Sequence, residues 1–213
     1  MAYIPVVPAP SRVRLRGGVA RYVHAVSTFS DGGDVVLHQD GLGLVAYAVN
    51  DSRTAACKAV IETQTARPAL ELPLTVRLPP DAVLALSRAS SGKRDDYRPL
   101  ELELVRHPLD PRRPQDPVGE WALSSPQDGP LGDGELLPLG VPLPNLGSVP
   151  TGPLGPVRTL VSSSYLDLLH KADKRAHYTG PWEVGTPRDT KGNPPLVCRS
   201  AWATAAFAPL RLV

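Results

Sequence analysis

Apolar residues recur at helical spacing in only three short stretches of this 213-residue chain; elsewhere they alternate with polar ones. No other feature constrains the fold as much. Alternation with period two builds a half-buried strand, whereas a 3.6-residue period builds a helix with one apolar stripe. Many strands with few helices predict an α+β architecture, antiparallel sheets with the helices on one face.

In chain order, residues 1–10 read as a Pro-rich extended leader, without the basic region and apolar core of a secretory signal. A strand begins near Ser11, with Arg12, Arg14 and Arg16 alternating with Val13 and Leu15. Gly17-Gly18 breaks it. From Val19 to Ser30, Val19, Tyr22, Val23, Val26 and Phe29 follow helical spacing, with Arg21, His24 and Thr28 opposite, and Asp31-Gly32-Gly33 supplies the stop. Strands are expected over 34–38, 42–49 and 53–62, with turns at Gln39-Asp40-Gly41 and Asn50-Asp51-Ser52. A strand over 70–78 follows, then a helix opened by Pro79-Pro80-Asp81 and running to Ser90. Leu100, Leu102 and Leu104 mark another strand. Residues 11–105 thus read as a helix plus strands, twice over, a repetition of elements that no fixed-period sequence repeat accompanies.

Residues 107–119 have linker composition, and Glu120–Ser124 reads as one more strand. From Pro126 to Pro156, 8 of 31 residues are Pro and 7 are Gly, which excludes a helix and predicts a long irregular loop. The third helix follows Ser162, Ser163 and Ser164, whose hydroxyls offer caps. Its stripe is Tyr165, Leu168, Leu169 and Ala172. Lys171, Lys174 and Arg175 fall on another side, with Asp167 one turn earlier. Two domains are expected, over 1–118 and 119–213; the second shows one helix, so it is either abbreviated or has the Pro/Gly segment in place of its first helix.

Several functions find no support. There is no phosphate-cradling Gly-rich loop, no nucleophile elbow and no metal spacing among the five histidines. Cys57 and Cys198 sit in strand contexts, and are expected to be buried free thiols. No run of about 20 apolar residues exists to cross a membrane. No catalytic residues, metal or cofactor are expected. A net charge of +2 does not announce a nucleic-acid binder, but the placement of charge matters more than its sum. Aromatic content of 5% is low for reading single strands by stacking, whereas cations alone suffice for duplex phosphates.

Four segments fall in one order through the C-terminal third: Pro144-Asn145-Leu146-Gly147-Ser148-Val149-Pro150, Ser163-Ser164-Tyr165-Leu166-Asp167-Leu168-Leu169, Pro195-Leu196-Val197-Cys198 and Phe207-Ala208-Pro209-Leu210-Arg211-Leu212-Val213. Together they resemble the last domain of bacterial and phage DNA sliding clamps, the beta-subunit-like processivity factors of DNA polymerase III. The run from Asp40 to Arg53 also resembles the nuclear-antigen clamps, where a strand ends at an Asp-Ser turn.

The resemblance implies a ring around duplex DNA, helices lining the hole and sheets outside, built as a homo-oligomer with a trimer favoured. It implies a DNA polymerase and a clamp loader as partners, engaged through a short peptide motif, and a cytoplasmic, nucleoid-associated setting in a bacterial or phage-infected cell. The cations that would face DNA are Arg14, Arg16, Arg21, Arg88, Lys171, Lys174 and Arg175. The peptide pocket would use Ala206, Phe207, Ala208, Pro209, Leu210, Arg211 and Leu212, with Ala208 where the family usually has Met. Two other readings stay open: a strand-rich structural, virion or scaffold protein, and a clamp-fold DNA-repair accessory that forms no ring.

Overall fold

The computed structural model describes residues 11–15, 19–40, 43–61, 75–89, 100–107, 112, 118–127, 129–136, 152–157, 159–188 and 192–209. The order strand, helix, three strands occurs three times. Unit I contains β1 (Ser11–Leu15), α1 (Val19–Val26), β2 (Val35–Asp40), β3 (Gly43–Val49) and β4 (Ala55–Ile61). Unit II contains β5 (Thr75–Leu78), α2 (Pro80–Ala89), β6 (Leu100–Arg106), β7 (Gly119–Ser125) and β8 (Gly129–Leu136). Unit III contains β9 (Leu154–Gly155), α3 (Ser164–Ala176), β10 (Glu183–Pro187), β11 (Leu196–Arg199) and β12 (Ala203–Phe207).

Units I and II exchange their first strands. β1 pairs with β6 of unit II, and β5 pairs with β2 of unit I, all antiparallel. Unit III instead folds β9 back on its own β10 and lays β12 along β4. The twelve strands form one sheet in the order β1-β6-β7-β8-β5-β2-β3-β4-β12-β11-β10-β9. The junction expected at residue 118 falls inside this pairing, because β7 and β8 hydrogen-bond back to β6 and β5.

The sheet's period-two pattern separates its faces. Val13, Leu15, Val35, Leu37, Cys57, Ala59, Leu102, Leu104, Cys198 and Ala205 point inward, joining α1, α2 and α3 in the main core. On the other face Arg12 pairs with Glu103, and Arg14 with Glu101, each at 3.3 Å. Both cysteines are buried and free. Each lies opposite Ala205 of the strand between them. Burial pushes both thiols up, Cys198 to about 11 and Cys57 further, with the Asp173 carboxylate adding to the shift at Cys57.

Local chemistry explains most boundaries. Asn50 accepts the N–H groups of Thr54 and Ala55 at 2.8 and 2.9 Å, so the Asn-Asp-Ser turn is tied together by its own side chain. The helix expected to reach Ser30 changes to a 3-10 turn at Ser27–Phe29. Ser27 Oγ donates to the His24 carbonyl and Ser30 Oγ to the Ser27 carbonyl, competing with helical bonding. Gln39 and Asp40 extend β2 rather than turning. Of the strand expected over 70–78, only Thr75–Leu78 lies among the described residues.

The largest correction concerns the segment expected to be an irregular loop from Pro126 to Pro156. Gly129–Leu136 is a strand, paired with β7 along its length. Its glycines serve packing rather than irregularity. A Cβ at Gly132 would stand 2.8 Å from the Ala82 Cβ of α2, and one at Gly134 would stand 3.0–3.1 Å from the Trp121 indole. Bare backbone there lets the buried Trp121 lie across β8 beneath α2. The two residues of β9 fall within the same segment.

Candidate nucleic-acid interface

The three helices lie side by side on one face of the sheet, with α1 between α2 and α3. Each takes its place through its own apolar stripe: Val19, Val23 and Val26 on α1, Ala82, Val83 and Leu86 on α2, Leu169, Ala172 and Ala176 on α3. The outward side of this layer carries a groove of about 460 Å³ lined by Arg21 and His24 of α1, Ser87 of α2, and Lys171, Lys174, Arg175 and His177 of α3. Among the described residues no carboxylate lines it. A second hollow of about 400 Å³ adjoins it, floored by Val83, Leu84 and Leu168 and edged by Ser27, Thr28, Ser30, Lys171 and Arg175.

The cations differ in how they are held. Lys171 and Lys174 are exposed, while Arg21 is half-buried with its guanidinium 5.6 Å from the Tyr22 ring centroid. Arg175 is docked across the end of α1. Its Nη1 donates to the His24 carbonyl at 3.3 Å and to Thr28 Oγ1 at 3.0 Å. A cation there satisfies carbonyls that the helix C-terminus leaves over, and favourably meets its dipole. Burial lowers the Arg175 pKa, but a guanidinium still remains charged. Burial, and secondarily Arg175, also lowers that of His24, which disfavours the imidazolium beside the arginine.

The acid nearest these cations in sequence is turned elsewhere. Asp173 accepts Trp182 Nε1–H at 2.7 Å and Trp202 Nε1–H at 3.1 Å. Trp202 stacks on Tyr22 of α1 at 5.8 Å between centroids, and Trp182 meets Trp202 edge-on at 6.0 Å. This cluster locks α3 to α1 and occupies both oxygens of the carboxylate, leaving α3 to present its lysines. At the C-terminal end of α3, His177 adopts the left-handed conformation, φ 53°, and Tyr178 N–H closes on the Asp173 carbonyl at 2.9 Å. Sequence spacing could not find the cluster, since its members lie 9 and 29 residues apart.

Of the seven cations singled out from sequence, the structure brings together Arg21, Lys171, Lys174 and Arg175. Arg14 points from the opposite face of the sheet and pairs with Glu101. Arg88 is exposed in the last turn of α2, next to the groove-lining Ser87 but outside the lining itself. Arg16 lies outside the described residues. His24, His177 and Ser87 line the groove without having been singled out as binding residues.

The C-terminal positions separate as well. Phe207 is fully buried, stacked on Tyr165 at 4.6 Å and tilted against Phe29 at 5.9 Å. It fills the interior between sheet and helices rather than lining a groove. Ala206 faces the other way, packed with Ala56, Leu154 and Val197. Ala208 and Pro209 are half-buried, with Ala208 N–H donating to the Thr54 carbonyl at 2.7 Å. Leu210, Arg211 and Leu212 lie outside the described residues.

No family model matches this sequence, and no curated protein matches it. Among solved structures, the chain is similar to the one titled "C-terminal region of FEN-1 bound to A. fulgidus PCNA", with a TM-score of 0.53. The match covers 95% of this chain and 99% of that one, at 10% identity. The fold is clamp-like. At that identity the likeness is one of fold alone, and it agrees with the α+β, helices-on-one-face architecture expected from the sequence. No described helix is long and apolar enough to cross a membrane, and no three described His, Cys, Asp or Glu residues could hold a metal ion.

Proposed function

We propose that this protein is a DNA sliding clamp of the bacterial or phage beta-subunit-like kind, a non-catalytic processivity factor that encircles duplex DNA and tethers a replicative polymerase. The observation that carries the reading is the unequal distribution of charge over a clamp-like fold. The outward side of the helical layer gathers Arg21, Lys171, Lys174 and Arg175 with no carboxylate among the described lining residues of the groove, while arginines on the opposite sheet face are neutralised by Glu101 and Glu103.

Such a surface suits a duplex held topologically. Phosphates are met by cations without base contacts, so binding is sequence-independent, weak and salt-sensitive. Tight binding would oppose sliding. A ring commonly contains six pairs of units of this kind, and two complete pairs per chain would close it as a trimer. The described residues hold three units per chain, and at that number twelve units are supplied by four chains. A polymerase or loader peptide would dock near Ala208 and Pro209, just past β12. The PCNA of the similar structure, by its title, is bound to a partner's C-terminal region. The setting would be the nucleoid of a bacterial or phage-infected cell.

The test is retention on nicked circular DNA across a salt series. Reversing Arg21, Lys171 and Lys174 together to Glu should abolish retention at moderate salt and flatten its salt dependence by about two to three units of log–log slope. Arg14→Gln, on the far face, should leave both unchanged. Undiminished retention by a correctly folded triple variant would remove the helical face as the DNA surface.

A further inference from the structure

The groove and the hollow beside it on the helical layer meet in one trough, because His24, Lys171 and Arg175 line both. From Arg21 to Thr28 it follows α1 for about 10 Å, at about 1.5 Å of rise per residue. Each wall is one stripe of a flanking helix. Pro80, Leu84 and Ser87 fall at i, i+4 and i+7 on α2, and Leu168, Lys171 and Arg175 at i, i+3 and i+7 on α3. Both stripes change from apolar to polar in the same direction along the trough. Val83, Leu84 and Leu168 therefore stand together at one end, and Arg21, Lys174 and His177 at the other.

Duplex DNA has use for the basic end only. It meets such a groove with phosphates and sugars, to which leucine side chains offer neither charge nor a hydrogen bond. Leu84 is nevertheless 45% exposed, on the stripe of α2 that looks into the trough. The rim of this apolar end holds an acceptor and a donor next to one another. Ser27 Oγ spends its proton on the His24 carbonyl at 2.7 Å and keeps a lone pair for an incoming N–H. Thr28 Oγ1 accepts from Arg175 Nη1 at 3.0 Å and has its own proton to give to an incoming carbonyl. A peptide backbone supplies both complements. Asp31 and Asp81 are exposed beside the lining residues Gly32 and Pro80, though outside the lining itself. They repel a carboxylate from the apolar end, so an anionic ligand must place its charges toward Arg21 and Lys174.

We propose that the trough is a docking site for an acidic peptide segment of a partner protein, extended, with one large aliphatic side chain beyond its carboxylates. Three or four extended residues, at about 3.3 Å each, span its length. The carboxylates meet Arg21, Lys171 and Lys174, and the aliphatic side chain covers Leu84 and Leu168 between the two helices. Charge complementarity selects the sign of the segment, and the apolar end separates it from a nucleic acid, which carries the same sign. Peptide and duplex would claim the same lysines, so an occupied trough keeps DNA off the helical face. That regulatory consequence rests on the clamp reading; the site itself rests only on the trough.

The test is fluorescence anisotropy with the full-length protein and a labelled peptide in which three glutamates are followed, after one serine, by leucine, made in both chain directions. The better-binding direction should lose about tenfold in affinity when its leucine is replaced by serine, a change that needs no protein variant. Leu84→Gln, at an exposed position, should weaken the leucine peptide about tenfold and leave the serine peptide unchanged. It should alter neither circular dichroism nor retention on nicked circular DNA. Lys171→Gln with Lys174→Gln should weaken both peptides and DNA retention together. Equal binding of the leucine and serine peptides would overturn the proposal. So would a leucine peptide indifferent to Leu84→Gln, or one that stays bound beside a short duplex that the same protein binds. Leu84-dependent peptide binding by a protein that fails to retain DNA would leave the site standing while sinking the clamp reading. Retention without such binding would sink the site alone.

Discussion

Units I and II are interlocked, whereas unit III is hung on at one side. The first two share strands in both directions, so neither can unfold without stripping hydrogen bonds from the other. Unit III holds to unit I through the β4–β12 seam, the packing of α3 on α1, and two aromatic groups, Phe207 with Phe29 and Tyr165, and Trp202 with Tyr22. The same sequence of elements is thus used in two ways. What differs is whether the first strand finds a second strand of another unit, which depends on a neighbouring unit and not on the strand itself.

The contrast can be broken most strongly at Phe207. Phe207→Ala removes a ring packed between unit I and α3, and should cost about 3–5 kcal/mol in chemical denaturation. It should also separate the transitions. With Trp121 replaced by Phe, Trp182 and Trp202 report on unit III alone, and their fluorescence should change before the circular dichroism does. That replacement removes a buried indole N–H that has no hydrogen-bond partner among the described residues, so it leaves no new donor stranded. Coincident transitions in the Phe207→Ala variant would show that all three units form one cooperative block.

Gly132→Ala sharpens the comparison from the other side. Its Cβ would meet the Ala82 Cβ at 2.8 Å, and neither side chain can rotate away, so α2 must move off β8. A loss of about 1–3 kcal/mol is expected, carried by the interlocked pair. The tryptophans of unit III should then not melt ahead of the circular dichroism. If they did, the strain would be reaching unit III through α1.

A smaller effect is expected from pH at the joint itself, where His24 sits beneath Arg175. Its folded pKa is lowered by burial first and by Arg175 second, so the unfolded chain takes up the proton more readily. Stability from this site is present above the ordinary histidine pKa of about 6.5 and is lost as pH falls below it toward the lowered folded value. His24→Gln should remove this part of the acid dependence. A denaturation midpoint with the same pH slope in both proteins would show that His24 does not take part.

Much of this architecture was legible in the sequence because it rests on short-range periodicity. The stripes of Val19–Val23–Val26 and Leu169–Ala172 predict helices, and alternation at Leu100–Leu102–Leu104 predicts a strand with one buried face. Cys57 and Cys198 were readable as buried free thiols from the same strand contexts. β8 was not legible. Its glycines are dictated by Trp121 and by Ala82, residues distant in the chain, while locally they read as loop composition.

The candidate site divides in the same way. The helical repeat alone put Lys171, Lys174 and Arg175 on a common side of α3, since position on a helix follows from residue number. Only the tertiary structure decided that Arg175 ties down the end of α1, that the indoles of Trp182 and Trp202 hold Asp173, and that Arg14 faces away from Arg21. Those outcomes depend on which strands and helices become neighbours across tens of residues. Period and propensity are local quantities, and they contain no information about that choice until the three units have packed.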